Sequence, residues 1–133
     1  NIAEKFEVVI FRNFMIRLAQ KIAIEKGYKA LIMGDSVGQV ASQTLDNLNA
    51  ANLAVEIPIL RPLISFDKQE IIDIAKRIET YEESIKQYKD CCSIIARKPA
   101  TKVKLEQIEK ELERVDIYKI IDESRKEMDE FRI

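Results

Sequence analysis

The chain of 133 residues contains no histidine and no tryptophan, and only three glycines, three prolines and two cysteines. Without histidine, acid–base catalysis by imidazole and metal ligation by imidazole are both excluded within these residues. The two cysteines are adjacent, Cys91 and Cys92, which does not fit the spaced framework of a secreted disulfide-rich domain. No apolar run approaches the roughly 20 residues that span a bilayer. The composition therefore predicts one reduced, cytoplasmic domain, or a piece of one.

Charge of one sign is not in excess either. The chain carries 22 basic and 23 acidic residues, a net charge of −1, so a global basic field for nucleic acid is absent. A local basic face is still compatible with this balance. Hydrophobic residues make up 47% of the chain, which is enough apolar material for a core.

Helical and strand-like segments alternate along the first half of the sequence. Apolar residues at spacings of three and four predict helices, and short apolar runs predict strands. The predicted helices are 3–26, 35–48, 67–78, 101–116 and 117–132, and the predicted strands are 29–33 and 54–60. This order favours an α/β fold with parallel strands. Two strands do not make a stable open sheet, so we expect others from a longer protein, a partner chain or segments without a clear strand pattern.

Capping residues mark several predicted helix ends. Gly27 predicts the end of the first helix. Ser36 with Gln39 predicts a capping box for the second helix, with Asp35 as an alternative cap, and the residues from 49 to 52 predict the turn after it. Asp67 with Glu70 predicts a capping box for the third helix.

The junction from Gly34 to Leu45 concentrates residues suited to ligand binding. It follows the apolar run 30–33, and strand-to-helix junctions of α/β sheets are where ligands bind. Gly34 lets backbone approach a ligand, and Gln39 and Gln43 lie four apart on a predicted helical face. The alternative is a tight turn with solvated glutamines, which the residues alone favour because no Walker or G-x-G-x-x-G motif occurs.

Three other features have both a functional and a structural interpretation. Lys68, in the first turn of a helix, is unfavourable to the helix dipole unless it meets a phosphate, and otherwise is a surface lysine. Cys91 and Cys92 have cations nearby in sequence that favour thiolates, or else are one buried and one incidental cysteine. Arg12 is most simply a solvated charge of the first helix.

Three blocks resemble the tRNA 4-thiouridine synthetase family, a sulfurtransferase family also tied to thiamine biosynthesis. They are Gly34–Leu45, Arg61–Ile72 and Asp90–Cys92; after the second of them, Glu79–Tyr81 stands where the family usually has Gly-Thr-Tyr. The blocks occur in the family's order and cover about residues 8 to 105, which makes the resemblance specific.

The resemblance implies a partial PP-loop ATP-pyrophosphatase domain, an α/β parallel sheet with flanking helices, over residues 1–98, and a helical C-terminal extension over 99–133. It implies that ATP, with Mg²⁺, adenylates uridine 8 of tRNA and that sulfur from a persulfide then replaces AMP to give 4-thiouridine. The implied partners are tRNA, a cysteine desulfurase or other sulfur donor, and a second copy in a homodimer. A role in thiamine thiazole synthesis is also implied.

By position, the resemblance assigns ATP contacts to Arg12, Gly34 and Gln43, and catalytic roles to Lys68 and one cysteine. The family's cysteine falls on Cys91 when its position is counted forward from Lys68, and on Cys92 when it is counted back from Pro99. We favour Cys91.

The family's Ser-Gly-Gly-x-Asp-Ser loop, which holds pyrophosphate, is absent from the 133 residues. We therefore expect the C-terminal part of the catalytic domain, which alone does not hydrolyse ATP to AMP and pyrophosphate. Two alternatives remain open: a non-catalytic paralogue that dimerises through the 105–115 helix or binds a partner, and an adenylating enzyme of another type, such as a different tRNA thiolase.

Overall fold

The computed structural model describes residues 2–38, 43–87, 95 and 100–128. A 3-10 turn at Glu4–Phe6 leads into the first helix. The helices are α1 Glu7–Glu25, α2 Leu45–Ala51, α3 Lys68–Arg77, α4 Tyr81–Ser84, α5 Leu105–Glu113 and α6 Ile117–Glu127, and the strands are β1 Leu31–Ile32 and β2 Ile59–Leu60. Within the described ranges, none of the helices is long and apolar enough to cross a membrane.

The two strands form a small parallel sheet, with Leu31 opposite Ile59 and Ile32 opposite Leu60. Helix α2 lies in the connection between them, and α1 packs against β1. The predicted mixed α/β class is therefore confirmed. Both strands are shorter than predicted because, in the described part of the chain, each has only one neighbouring strand to pair with.

The core is built on one face of α1, against which α2, α5 and α6 pack. Its buried apolar cluster consists of Phe6, Val9, Ile10, Ala50, Val103 and Ile108. The C-terminal helices thus pack on α1, and Ile108 of the predicted dimerising face is fully buried in this core. Truncation of Ile108 to alanine would remove about 2–5 kcal/mol of stability by the usual cavity effect. The boundary between the PP-loop part (residues 1–98) and the helical C-terminal extension (residues 99–133) stays a prediction.

The predicted helix 35–48 is wrong at both ends. Its first residues are not helical, and α2 begins at Leu45, where the Thr44 side chain accepts a hydrogen bond from the Asn47 N–H. The capping box predicted at Ser36 therefore does not form, because the Ser36 hydroxyl donates to the Phe66 carbonyl instead. The turn predicted from residue 49 is also wrong, since α2 continues to Ala51.

Two helices end in the same hydrogen-bonded motif but with different residues. Helix α1, whose last residue is Glu25, is terminated by Gly27, with φ of +76° and a Tyr28 N–H that donates to the Ala23 carbonyl at 2.8 Å. Helix α3 ends with the Thr80 N–H on the Ala75 carbonyl at 2.9 Å. Its left-handed residue is Glu79, with φ of +60°, where a glycine would be unstrained.

Replacement of Glu79 by glycine is therefore expected to stabilise the chain by about 1 kcal/mol, because a side chain in the left-handed region costs about 1–2 kcal/mol, part of which the more flexible unfolded glycine offsets. Urea unfolding measures the change. The matched control, Glu106→Gly inside α5, should destabilise by about 1 kcal/mol. Destabilisation by Glu79→Gly would show that this turn does not strain the glutamate.

An exposed ion pair links α1 to α6. Lys21 Nζ lies 2.5 Å from Asp122 Oδ1, and its hydrogen bond and charge hold the pKa of the Asp122 carboxyl below its ordinary value. Because this folded-state pKa is lowered, the contribution of the pair is present above the ordinary aspartate pKa and is lost as the pH falls through the lowered value.

Acidification through that range is expected to lower the amide protection factors of α6 slightly, once the intrinsic pH dependence of exchange is divided out, and Asp122→Asn is expected to remove that part of the pH dependence. Hydrogen exchange of α6 between neutral and strongly acidic pH measures both. Glu127→Gln, a neutralised carboxylate on the same helix, serves as the control. An unchanged pH profile in Asp122→Asn would contradict the assignment.

Candidate functional site

The loops that follow β1 and β2 lie side by side at the carboxyl edge of the sheet. We call the loops 33–38 and 61–66, together with the Arg12 side chain, the carboxyl-edge site. The Val37 N–H donates to the Ile64 carbonyl at 3.1 Å. Since ligands of α/β sheets bind outside the carboxyl ends of the strands, the predicted Gly34 junction has the expected location.

A second bond ties the same loops together. The Ser36 hydroxyl donates to the Phe66 carbonyl at 2.7 Å, and Ser36 is buried. Residue Phe66 immediately precedes Asp67, whose side chain accepts from the Glu70 N–H in the capping box that opens α3. The predicted capping box of α3 is confirmed, and it sets the start of this helix at the carboxyl edge.

Asp35 is the charged centre of the site. Its carboxylate pairs with Arg12 from α1 and, at 2.8 Å, with Nε of Arg61 from the loop after β2. The side chains of Asp35, Arg12 and Arg61 are 4%, 11% and 14% exposed, respectively. Arg61 also donates to Asn52 Oδ1 at 2.8 Å. One buried carboxylate thus links α1, both post-strand loops and the end of α2.

This arrangement corrects the simplest interpretation of Arg12, a solvated helix charge. Its guanidinium is almost fully buried, and within the described ranges its Nε has no hydrogen-bond partner. Burial of a guanidinium is expensive unless a carboxylate pairs with it, and Asp35 pairs with both Arg12 and Arg61, which leaves the three side chains with one net positive charge. The cluster therefore holds the loop 33–38 in a fixed conformation.

Gly34 and Gln43 have different local roles. Gly34 is exposed, and a Cβ built there meets no atom within 4 Å, so the residue leaves open space at the carboxyl edge. Gln43 precedes α2, and its side-chain oxygen accepts from the Ser36 N–H at 3.0 Å. The predicted helical face shared with Gln39 is therefore wrong for Gln43, while Gln39 lies outside the described residues.

The other predicted site residues are placed only in part. Lys68 is the first residue of α3 and is exposed, directly after the loop 61–66. Cys91 and Cys92 lie outside the described residues, so their roles stay predictions. Within the described ranges no group of three or more histidine, cysteine, aspartate or glutamate side chains is arranged to hold a metal, and we assign no Mg²⁺ ligand here.

The sequence alone does not predict the charge cluster. It predicts Asp35 as an alternative helix cap and assigns no role to Arg61 and Asn52. The available signal was an acidic residue just after one strand and a basic residue just after the next, because these positions meet at the same edge of a parallel sheet.

The chain matches the family model of the thiamine biosynthesis protein (ThiI) over residues 1–117. It belongs to the ThiI family. Curated ThiI-family relatives include a probable tRNA sulfurtransferase of Caldanaerobacter subterraneus subsp. tengcongensis, 49% identical over 93% of this chain and 33% of the relative. Another, from Finegoldia magna, is 42% identical over 100% of this chain and 34% of the relative.

A solved structure is similar as well. A 4-thiouridine synthetase crystallised in complex with RNA and with bound ATP superposes with a TM-score of 0.87 at 39% identity. The match covers 95% of this chain and 33% of the other. The predicted family resemblance is confirmed. This ThiI-family chain spans about a third of the length of the relatives it matches.

Proposed function

We propose that the chain is part of a tRNA sulfurtransferase and that the carboxyl-edge site forms one wall of its nucleotide site. The observation that carries this proposal is the buried Asp35 with its two arginines, which fixes the loop 33–38 beside the open space at Gly34. A preformed loop with accessible backbone at the carboxyl ends of parallel strands suits an adenine nucleotide.

The proposed reaction is the thiolation of uridine 8 in tRNA. The C4 oxygen of the uracil attacks the α-phosphate of ATP, and pyrophosphate leaves. The terminal sulfur of a persulfide then attacks C4, and AMP leaves with that oxygen. A thiolate next attacks the carrier sulfur of the resulting C4–S–S link, so that a disulfide forms on the carrier and 4-thiouridine is released. The relatives named tRNA sulfurtransferases and the ATP- and RNA-bound structural neighbour support this assignment. The proposed location is the cytoplasm, where tRNA and ATP occur.

The opposite wall of the site is proposed to come from the rest of a longer protein, in a PP-loop domain. Among the described residues, no strand pairs with the edge of β1 that faces away from β2. The N–H groups of Leu31 and Met33 donate to the carbonyls of Pro58 and Leu60. Because the backbone groups of successive residues in a strand alternate in direction, the N–H and carbonyl of Ile32 point to the other edge of β1. The Ile32 side chain is 74% exposed. A further parallel strand beside Ile32 would extend the sheet towards the pyrophosphate.

Two site residues are proposed to serve the chemistry directly. Lys68 is exposed at the start of α3, where its ammonium is able to meet a phosphate or the tRNA backbone. One of Cys91 and Cys92, with Cys91 favoured, is proposed to attack or resolve the sulfur carrier, such as a persulfide-bearing desulfurase. The family description also favours a second role in thiamine thiazole synthesis.

Replacement of Gly34 by valine tests the proposed wall. Because a Cβ at this position meets no protein atom, the free energy of unfolding should change by less than about 1 kcal/mol. The ATP affinity of the full-length natural protein should fall by at least about tenfold, since a branched side chain occupies the proposed ligand space. Calorimetric titration with ATP and urea unfolding measure the two effects.

A matched control is Thr101→Ile, a larger branched residue at an exposed position outside the carboxyl-edge site. It should leave both quantities nearly unchanged. Normal ATP affinity in Gly34→Val would place the nucleotide away from this loop.

Deletion of the gene tests the function as a whole. Loss of 4-thiouridine from tRNA, restored by the intact gene, is the expected result, read by mass spectrometry of tRNA nucleosides. Unaltered 4-thiouridine after deletion, in cells with no second such gene, would contradict the proposal.

A further inference from the structure

A cavity of about 520 Å³ lies away from the carboxyl-edge site, between α1, the turn at Leu53–Ala54 and the junction of α5 with α6. Its size is within the usual range of small-molecule sites, about 300–1,000 Å³. Its walls combine apolar side chains, one tyrosine and charges of both signs: Leu53, Leu112, Val115, Ile117, Tyr118, Arg17, Glu109, Glu113 and Asp116.

The cationic side of the cavity is Arg17 of α1. This residue is only 7% exposed, and its guanidinium carbon lies 4.5 Å from the centre of the Tyr118 ring. In the part of the chain that the structure describes, no carboxylate pairs with it. A buried guanidinium that only stacks on a ring lacks the compensation that Asp35 gives to Arg12 and Arg61. The first turn of α6 already carries a carboxylate, because the Asp116 side chain accepts from the Lys119 N–H at 3.1 Å, so Arg17 is the cation that a ligand anion would meet.

The anionic side is formed by Glu109 and Glu113 of α5. They lie one helical turn apart on the face that lines the cavity, and the described residues give neither carboxylate an ion pair or hydrogen bond. Like charges at this spacing slightly destabilise a helix. Arg17 does not pair with either of them, so the cavity has a cationic wall at Arg17 and an anionic wall at Glu109 and Glu113.

We propose that this cavity binds a zwitterion of the size of a di- or tripeptide. Its carboxylate pairs with Arg17, its ammonium pairs with Glu109 and Glu113, and its side chains contact Leu112 and Ile117. Nucleic acid and polyphosphates do not fit, because Glu109, Glu113 and Asp116 outnumber Arg17 around the cavity. A purely cationic ligand would leave Arg17 uncompensated. This site is independent of the proposed nucleotide wall.

The test uses the full-length natural protein and the dipeptide L-alanyl-L-leucine, titrated to millimolar concentration with binding followed by NMR. Saturable shifts of Tyr118 and of the α5 and α6 amides are expected. The N-acetylated and the C-amidated dipeptides, which lack the ammonium and the carboxylate respectively, should each bind at least about tenfold more weakly.

Two variants test which side chain of the cavity pairs with each charge of the dipeptide. Glu113→Gln, on an exposed helical face that tolerates the change, should reduce the preference for the free over the acetylated dipeptide. Arg17→Gln should reduce the preference for the free over the amidated dipeptide. Glu106→Gln, on α5 but away from the cavity, should change neither. Absence of saturable binding, or equal binding of all three dipeptides to the unaltered protein, would overturn the proposal.

Discussion

Replacement of Asp35 by asparagine is expected to lower the free energy of unfolding by about 3–5 kcal/mol, the usual effect of breaking a buried ion pair. The reason is the two guanidiniums of Arg12 and Arg61, which would share one neutral amide oxygen in place of a carboxylate. Each side chain is at least 86% buried, so water replaces the lost charge poorly. Urea unfolding of the full-length natural protein, resolved for the step that includes this chain, measures the change.

Asp122→Asn is the matched control for this substitution. It removes the same charge and also breaks an ion pair, with Lys21, but this pair is exposed. Exposed pairs contribute little, so a much smaller effect is expected. Equal effects of the two substitutions would show that Asp35 does not hold a buried charge cluster.

Replacement of the functional cysteine by alanine is expected to abolish 4-thiouridine formation in the full-length natural protein. A thiolate is the group that attacks or resolves a sulfur carrier, and Cys91 and Cys92 are the two thiols of this chain. We expect Cys91→Ala to lose the activity and Cys92→Ala to retain most of it. Mass spectrometry of tRNA nucleosides from cells that carry each variant measures the outcome.

The two alanine variants are controls for each other, because they differ by one position and remove the same group. Unfolding measurements on both variants separate loss of chemistry from loss of fold. Full 4-thiouridine content in both variants would remove the cysteine hypothesis. Loss in Cys92→Ala alone would reverse the assignment.

Features set by neighbouring residues were predictable from the sequence. The end of α1 at Gly27 and the capping box of Asp67 and Glu70 at the start of α3 depend on contacts within a few residues, and both are as predicted. The mixed α/β class followed from the alternation of helical and strand patterns in the same way. Local patterns are informative where the partner of each backbone group is close in sequence.

The charge cluster could not be read in the same way, because its members are far apart in sequence. Asp35 lies 23 residues from Arg12 and 26 from Arg61. For the same reason, the sequence predicts the wrong start for α2. Ser36 has the pattern of a helix cap, but its hydroxyl donates to the carbonyl of Phe66, 30 residues away. Hydrogen bonds and ion pairs to distant residues thus engage Asp35 and Ser36, the side chains that a local helix cap would have used.

The most direct test of the nucleotide wall is amide hydrogen exchange of the full-length natural protein with and without saturating ATP. We predict that ATP slows exchange in the loop 33–38 and at the start of α3, while the amides of α6 are unaffected. Unchanged exchange in the loop 33–38, with protection elsewhere in the protein, would contradict the proposal that this loop forms one wall of the nucleotide site.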